Sequence, residues 1–271
     1  MRVTNRTRKV LGALFACVQG VSDAQAGVAS RASPKPIFIQ IPPQWSQEHS
    51  GRAGTFLRPA PNSYVFRVRS GDVWLREAPT NPTERSEISQ RSRWPIGSDI
   101  WFAFDMKILS GLPSQAAWVV VGQLHQTSNL GDGRGSPPWA QVIYPGRRFT
   151  VQIRHSAEMP LRHNPKPVIL FTDPSISRGR GYSFVYRLRY DPVQGALDTW
   201  RNSRKIVTYR GPLGYPGIVG PYLKFGIYRA PAAGELAVSF ARIRTGMNAC
   251  EVVNNLGRLP DLPEHAADCR R

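Results

Sequence analysis

Three short stretches of this sequence carry side chains able to move protons and hold an acid. Read as strands, whose side chains alternate between two faces, each sends its polar groups to one side. In residues 83–88, Arg85 and Glu87 lie two apart and share a face. In residues 121–126, Gln123 and His125 do the same, while Leu124 turns to the core. In residues 221–229, Leu223, Phe225 and Ile227 make an apolar row, and Tyr222, Lys224, Gly226 and Tyr228 face the other way. Lys224 and Tyr228 are separated by about 13 Å of strand, and Gly226 between them is expected to leave room for a sugar ring. Singly, each pattern is ordinary. An Arg-x-Glu pair is usually a surface ion pair, and a strand histidine is more often structural than catalytic.

Taken together, the inventory is Arg, Glu, Gln, His, Lys and Tyr. It contains no second carboxylate at a spacing suited to glycoside hydrolysis and no serine nucleophile motif, and Asp132 sits in a Gly-rich loop that makes it a poor general acid. One reaction suits this set: β-elimination across a uronic acid unit. The C5 proton is weakly acidic, so the adjacent carboxylate must first be neutralised by hydrogen bonds or positive charge. A base then takes the proton, and an acid protonates the departing glycosidic oxygen. Gln and Arg can hold the carboxylate, His or a tyrosinate can be the base, and Tyr can be the acid.

Arg85-x-Glu87, Gln123-x-His125 and Tyr222-Leu-Lys224-Phe-Gly226-Ile-Tyr228, in this order, resemble the three signature strands of jelly-roll polysaccharide lyases. Arg229 after the last tyrosine, and the stretch 195–200, are closer to the glucuronan and heparin lyase I branch than to alginate lyases. Ser89 stands where alginate lyases carry a second arginine. The resemblance spans about residues 67–244. It implies His125, Tyr228, Gln123 and Arg85 as catalytic residues, with Lys224, Glu87, Tyr222 and Arg229 contacting substrate. Whether His125 or Tyr228 is the base stays open. The implied substrate is a 1,4-linked polymer containing uronic acid, glucuronan or heparin-like. No cofactor is required on this reading; members of that branch bind calcium, yet no metal ligand set and no compact acidic cluster is visible here. The alternative is a non-catalytic module binding acidic polysaccharide on the same fold, because fold does not set function.

The elements that must position these residues are strands. Twenty-four Pro and 24 Gly punctuate short runs of β-branched and aromatic residues, at 64–69, 100–108, 117–126, 139–144, 148–154, 168–171, 182–190, 197–200, 205–209, 222–229 and 235–244. No repeat and no long amphipathic helix is present. The expectation is an all-β jelly-roll sandwich with a concave groove, its tryptophans mostly in the core. The domain is placed at 62–245, with a lead-in segment at 27–61 and a tail at 246–271.

Lys and Arg outnumber Asp and Glu by 36 to 18, a net charge of +18. That excess suits a polyanionic partner. The cations are scattered over many strands rather than gathered on a recognition element, and no nucleic-acid-binding signature occurs, so an acidic polysaccharide is favoured over nucleic acid. The N-terminus reads as a cleavable export signal at 1–26. It has Arg2, Arg6, Arg8 and Lys9, an apolar run at 10–18 and Ala24-Gln25-Ala26, with lipidation at Cys17 as a lesser alternative. The expected location is secreted or periplasmic, without a membrane span and as a monomer. Cleavage leaves Cys250 and Cys269 as a pair, expected to form a disulfide closing the tail.

Overall fold

The computed structural model of the chain describes residues 39–76, 82–110, 115–132, 135–253, 259–260 and 262. The expected export signal, Cys17 and Cys269 lie outside the described residues, and with them the proposed Cys250–Cys269 bridge. The strands are β1 (Trp45–His49), β2 (Phe56–Ala60), β3 (Ser63–Val68), β4 (Glu84–Gln90), β5 (Asp99–Ser110), β6 (Val119–His125) and β7 (Trp139–Tyr144). They continue as β8 (Arg148–Ile153), β9 (Val168–Asp173), β10 (Gly181–Arg189), β11 (Ala196–Arg201), β12 (Arg204–Arg210), β13 (Tyr222–Arg229) and β14 (Leu236–Gly246).

Two seven-stranded sheets result. The first runs β1-β4-β13-β6-β7-β8-β9 and the second β12-β11-β10-β5-β14-β3-β2, and all neighbouring strands are antiparallel. The fold is the expected all-β sandwich. Its N-terminal limit differs, since β1 and β2 lie within the stretch expected only to lead in. The sandwich begins at Trp45 rather than at residue 62. The Gly and Pro around these two short edge strands mask their pattern.

The inner faces meet in an aromatic layer. Phe102 of β5 lies 4.7 Å from Tyr186 of β10 and 5.0 Å from Trp139 of β7, and Phe104 of β5 lies 5.1 Å from Phe225 of β13. Each such pair adds about 0.5–1.5 kcal/mol beyond the area it buries. Leu223, Phe225 and Ile227 are completely buried, so the core anchors β13 and fixes which way its other face looks. Part of the outer face of the second sheet is covered by the tail. Trp101 and Trp200 stack there against Ala249, Val252 and Leu259, and the Trp200 indole donates to the Pro260 carbonyl at 2.8 Å.

Gly226 does not open space for a sugar. Its φ is +138°, and a Cβ there would lie 2.2 Å from the Ser86 carbonyl oxygen and 2.9 Å from the Phe66 ring. It therefore permits close approach to β4. Here β13 stays in register with β4, Lys224 facing Ser89 and Tyr228 facing Arg85. Against β6 it slips, with Phe225 facing Gly122 and Tyr228 facing Val120. That extra residue is a bulge, a device that bends a strand and re-aims its side chains. Gly226→Ala is expected to destabilise the protein by more than about 1 kcal/mol, read as a lower urea midpoint. An unchanged midpoint would show that β4 yields easily and that the glycine is dispensable.

Candidate active site

The outer face of the first sheet carries a groove of about 580 Å³, lined among others by Arg85, Trp118, Gln123, His125, Lys224 and Tyr228. All four residues expected to be catalytic therefore open onto one groove. Register explains how. Tyr222 faces His125 and Lys224 faces Gln123 across the β13–β6 pair, while Tyr228 faces Arg85 across the β13–β4 pair. Gln123 and Lys224 thus occupy the middle, with His125 at one end and Tyr228 at the other.

Beneath the middle lies a cluster of buried charges. Glu48 of β1 pairs in register with Glu87 of β4. Lys224 Nζ lies 2.7 Å from Glu48 Oε2 and 3.1 Å from Glu87 Oε2. Arg85 Nη1 donates to Glu48 Oε2 at 2.7 Å, and the Gln123 side-chain amide donates to Glu87 Oε1 at 2.7 Å. Burial alone would push the Glu48 carboxyl up and the Lys224 ammonium down. The opposite charges outweigh it: Lys224 and Arg85 hold Glu48 low, and Glu87 with Glu48 raises Lys224. Glu48 and Lys224 therefore stay ionised at neutral pH, and each cation of the cluster lies against a carboxylate.

This changes three expected roles. Glu87, only 2% exposed, is a holder of Gln123 and Lys224 rather than a substrate contact. Lys224 lines the groove, but its ammonium is engaged from below by two carboxylates. Arg229 has the parity of the apolar row, is 1% exposed, and pairs with the equally buried Glu84 at 2.6 Å while also donating to the Ala232 and Gly234 carbonyls. It faces away from the groove and cannot touch substrate. Glu48 was not legible as a site residue, because nothing in its own neighbourhood reveals that β1 docks beside β4.

The remaining residues keep chemical freedom. Because a carboxylate only accepts, the Gln123 NH₂ points at Glu87 and retains a second N–H. The His125 Nδ1–H donates to the Gln126 carbonyl at 2.8 Å, and a carbonyl only accepts. This sets the tautomer and leaves the Nε2 lone pair available. Burial, then the nearby Lys224 charge, pulls His125 down to about 4, despite the opposing Gln126 bond. The imidazole is therefore neutral at pH 7. The Arg85 guanidinium lies 4.5 Å from the Tyr228 ring centre and 5.2 Å from that of Trp74, and Trp118 packs against Tyr228 at 4.9 Å. The Tyr222 ring stands beside His125 at 5.2 Å, and burial raises its phenol, which stays protonated.

Among the described residues no group of three or more His, Cys, Asp or Glu side chains could hold a metal ion, and Glu48, Glu84 and Glu87 are each engaged by Arg or Lys. These residues do not fit a calcium site. No helix among the described residues is long and apolar enough to cross a membrane.

Comparison with known proteins follows the same line. A family model described as polysaccharide lyase matches residues 45–244. No curated protein sequence is significantly similar. The fold resembles the endo-β-1,4-glucuronan lyase of the fungus Trichoderma reesei, at 11% identity and TM-score 0.57, over 81% of this chain and 94% of that one. It also resembles an alginate lyase of Pseudomonas aeruginosa at 20% identity and TM-score 0.52, over 73% and 87% of the two chains. The family 7 alginate lyase A1-II′ matches at 14% identity and TM-score 0.53, over 75% and 94%.

Removing one partner from a buried charge cluster leaves the others uncompensated. Glu48→Ala is expected to cost about 3–5 kcal/mol of stability, measured by chemical unfolding. A loss below about 1 kcal/mol would mean that Lys224 and Arg85 find water or new partners and that the cluster is not a structural unit.

Proposed function

As this chain belongs to the polysaccharide lyase family, we propose that it cleaves a 1,4-linked glucuronate polymer by β-elimination, with glucuronan as the favoured substrate. Elimination removes H5 from C5, forms the C4=C5 double bond and breaks C4–O4. It leaves one unsaturated uronate end and one new hydroxyl. The single observation that carries the reading is that Arg85, Gln123, His125 and Tyr228 line one groove on one sheet.

Each group then has a task. The second N–H of Gln123 and the guanidinium of Arg85 hold the substrate carboxylate, spreading charge as C5 becomes carbanion-like. His125 Nε2 accepts H5, and the Tyr228 hydroxyl gives its proton to O4. Both groups rise from the same sheet, so a sugar ring lying flat on the groove floor meets both on one face. That favours a uronate whose H5 and O4 share a ring face, as in glucuronate and its C2 epimer mannuronate, over guluronate, iduronate and galacturonate. The likeness to a protein named as a glucuronan lyase supports the same choice. The sulfated, heparin-like alternative draws on the excess of 36 Lys and Arg over 18 Asp and Glu. An N-terminal stretch that reads as a cleavable export signal, residues 1–26, supports a location outside the cytoplasm.

A panel of glucuronan, polymannuronate, polyguluronate and heparin tests it, scored by the ultraviolet absorbance of the unsaturated ends. Glucuronan should turn over fastest, and Tyr228→Phe should lose activity about a hundredfold or more. No absorbance rise on any of the four would sink the proposal.

The neutral imidazole gives a separate test. The base works only unprotonated, so kcat/KM on the preferred polymer should hold from neutral pH down to about 4 and fall tenfold per unit below, as His125 protonates. His125→Gln should cost about a hundredfold or more. Should that variant keep most of its activity, Tyr228 must be both base and acid.

A further inference from the structure

Arg93 stands just past the end of β4, at the His125 end of the groove, and the protein holds it in an unusual way. It is exposed, yet its guanidinium is fixed. Nε donates to Thr127 Oγ1 at 2.8 Å, and Nη1 donates to the carbonyls of Arg91 at 3.0 Å and Gln90 at 3.3 Å. Thr127 Oγ1 is itself anchored by donating to the Gly220 carbonyl at 2.8 Å. The guanidinium carbon lies 3.9 Å from the centre of the Tyr222 ring, whose neighbour is the His125 ring. Arg93, Tyr222 and His125 thus form a row from the rim of the sheet to His125, which lines the groove. Among the described residues no carboxylate pairs with Arg93.

An exposed arginine normally loses side-chain freedom when it grips a ligand. Here three hydrogen bonds and a stacked ring have already removed it, while among the described residues no hydrogen bond engages Nη2. A guanidinium fixed in this way is suited to a carboxylate. It contrasts with Arg85 and Lys224, whose charges are balanced by Glu48 and Glu87. The positive charge at this end of the groove therefore includes Arg93 at the rim and Arg154, which lines the groove and donates to the Pro137 carbonyl.

We propose that Arg93 is a substrate-binding residue that holds the carboxylate of a uronate unit next to the one being cleaved, on the His125 side. This rests on the lyase reading above. The site takes a charged sugar at a second position along the chain, so it reads polymer rather than a single residue.

Arg93→Ala should raise KM for the preferred uronate polymer about tenfold, with a much smaller change in kcat. Arg93→Lys should recover little of it, since an ammonium lacks the stacking plane and the separate N–H groups that fix Arg93 while leaving Nη2 to donate. In the slow Tyr228→Phe background, calorimetry on the intact polymer should show affinity falling by a similar factor when Arg93 is replaced. A polymer whose carboxylates have been reduced to alcohols should bind weakly and equally to both proteins. Unchanged KM and affinity in Arg93→Ala would overturn the assignment. So would a fall in kcat alone, which would mean that Arg93 only props Tyr222 and His125. If wild type yields no unsaturated ends on any polymer while Arg93→Ala still weakens binding, the lyase reading fails and the carboxylate site stands.

Discussion

The site depends on one constraint: two buried cations and two buried carboxylates must be satisfied together under a groove that has to receive another anion. Glu48 binds both Arg85 and Lys224, and Glu87 binds Lys224 and Gln123. Isolated charges at such depth would be costly, and hydrogen-bonded pairing is the usual remedy. The same bonds orient the working groups. The Gln123 amide is turned by Glu87, and the plane of Arg85 is set between Glu48 and the Tyr228 ring. Positioning and neutralisation are here one arrangement, which is why Arg85, Glu87, Gln123 and Lys224 can be polar and still buried under the groove.

That arrangement reaches across four strands, and the core keeps them aligned. Phe225 packs against Phe104 on the opposite sheet, so β13 cannot rotate without opening the aromatic layer. The bulge opposite β6 and the close contact with β4 at Gly226 then set where Tyr228 emerges. The groove face is thus the back of the core packing: the rows that alternate with Lys224 and Tyr228 are the residues that hold the sheets together.

Much of this could be read in the chain and some could not. Period-two alternation marked most strands, and the three polar pairs were visible as pairs because residues two apart share a face whatever the fold. Arg229 could have been placed correctly on the same logic, since it has the parity of Leu223, Phe225 and Ile227. The likeness to other lyases obscured that parity. Glu48 is a different case. Its importance comes from β1 lying beside β4, a pairing between segments about 40 residues apart that no local pattern encodes. Gly226 misled because a glycine in a strand can mean either an open surface or a close backbone approach, and only the three-dimensional contacts decide between them. The fixed pose of Arg93 likewise needs Thr127, Gly220 and Tyr222, all remote in sequence, besides the local carbonyls of Gln90 and Arg91.

The electrostatics divide into two ranges. At long range the protein is strongly basic, and a polyanion is drawn to it from any side, an attraction that salt screens beyond about 10 Å. At short range the Arg85 and Lys224 charges of the groove floor are balanced by Glu48 and Glu87, and the neutral His125 adds none. A floor with unpaired lysines and arginines would hold the uronate carboxylate tightly before reaction and gain little more as charge moves onto it. Tight binding of the ground state does not speed the chemical step. A balanced floor with oriented N–H groups can bind the carboxylate modestly at first and more strongly as its charge grows during proton removal. The excess of arginine over the rest of the surface is therefore suited to capture, and in the proposed elimination the glutamates paired with Arg85 and Lys224 keep those two charges from holding the ground state too tightly.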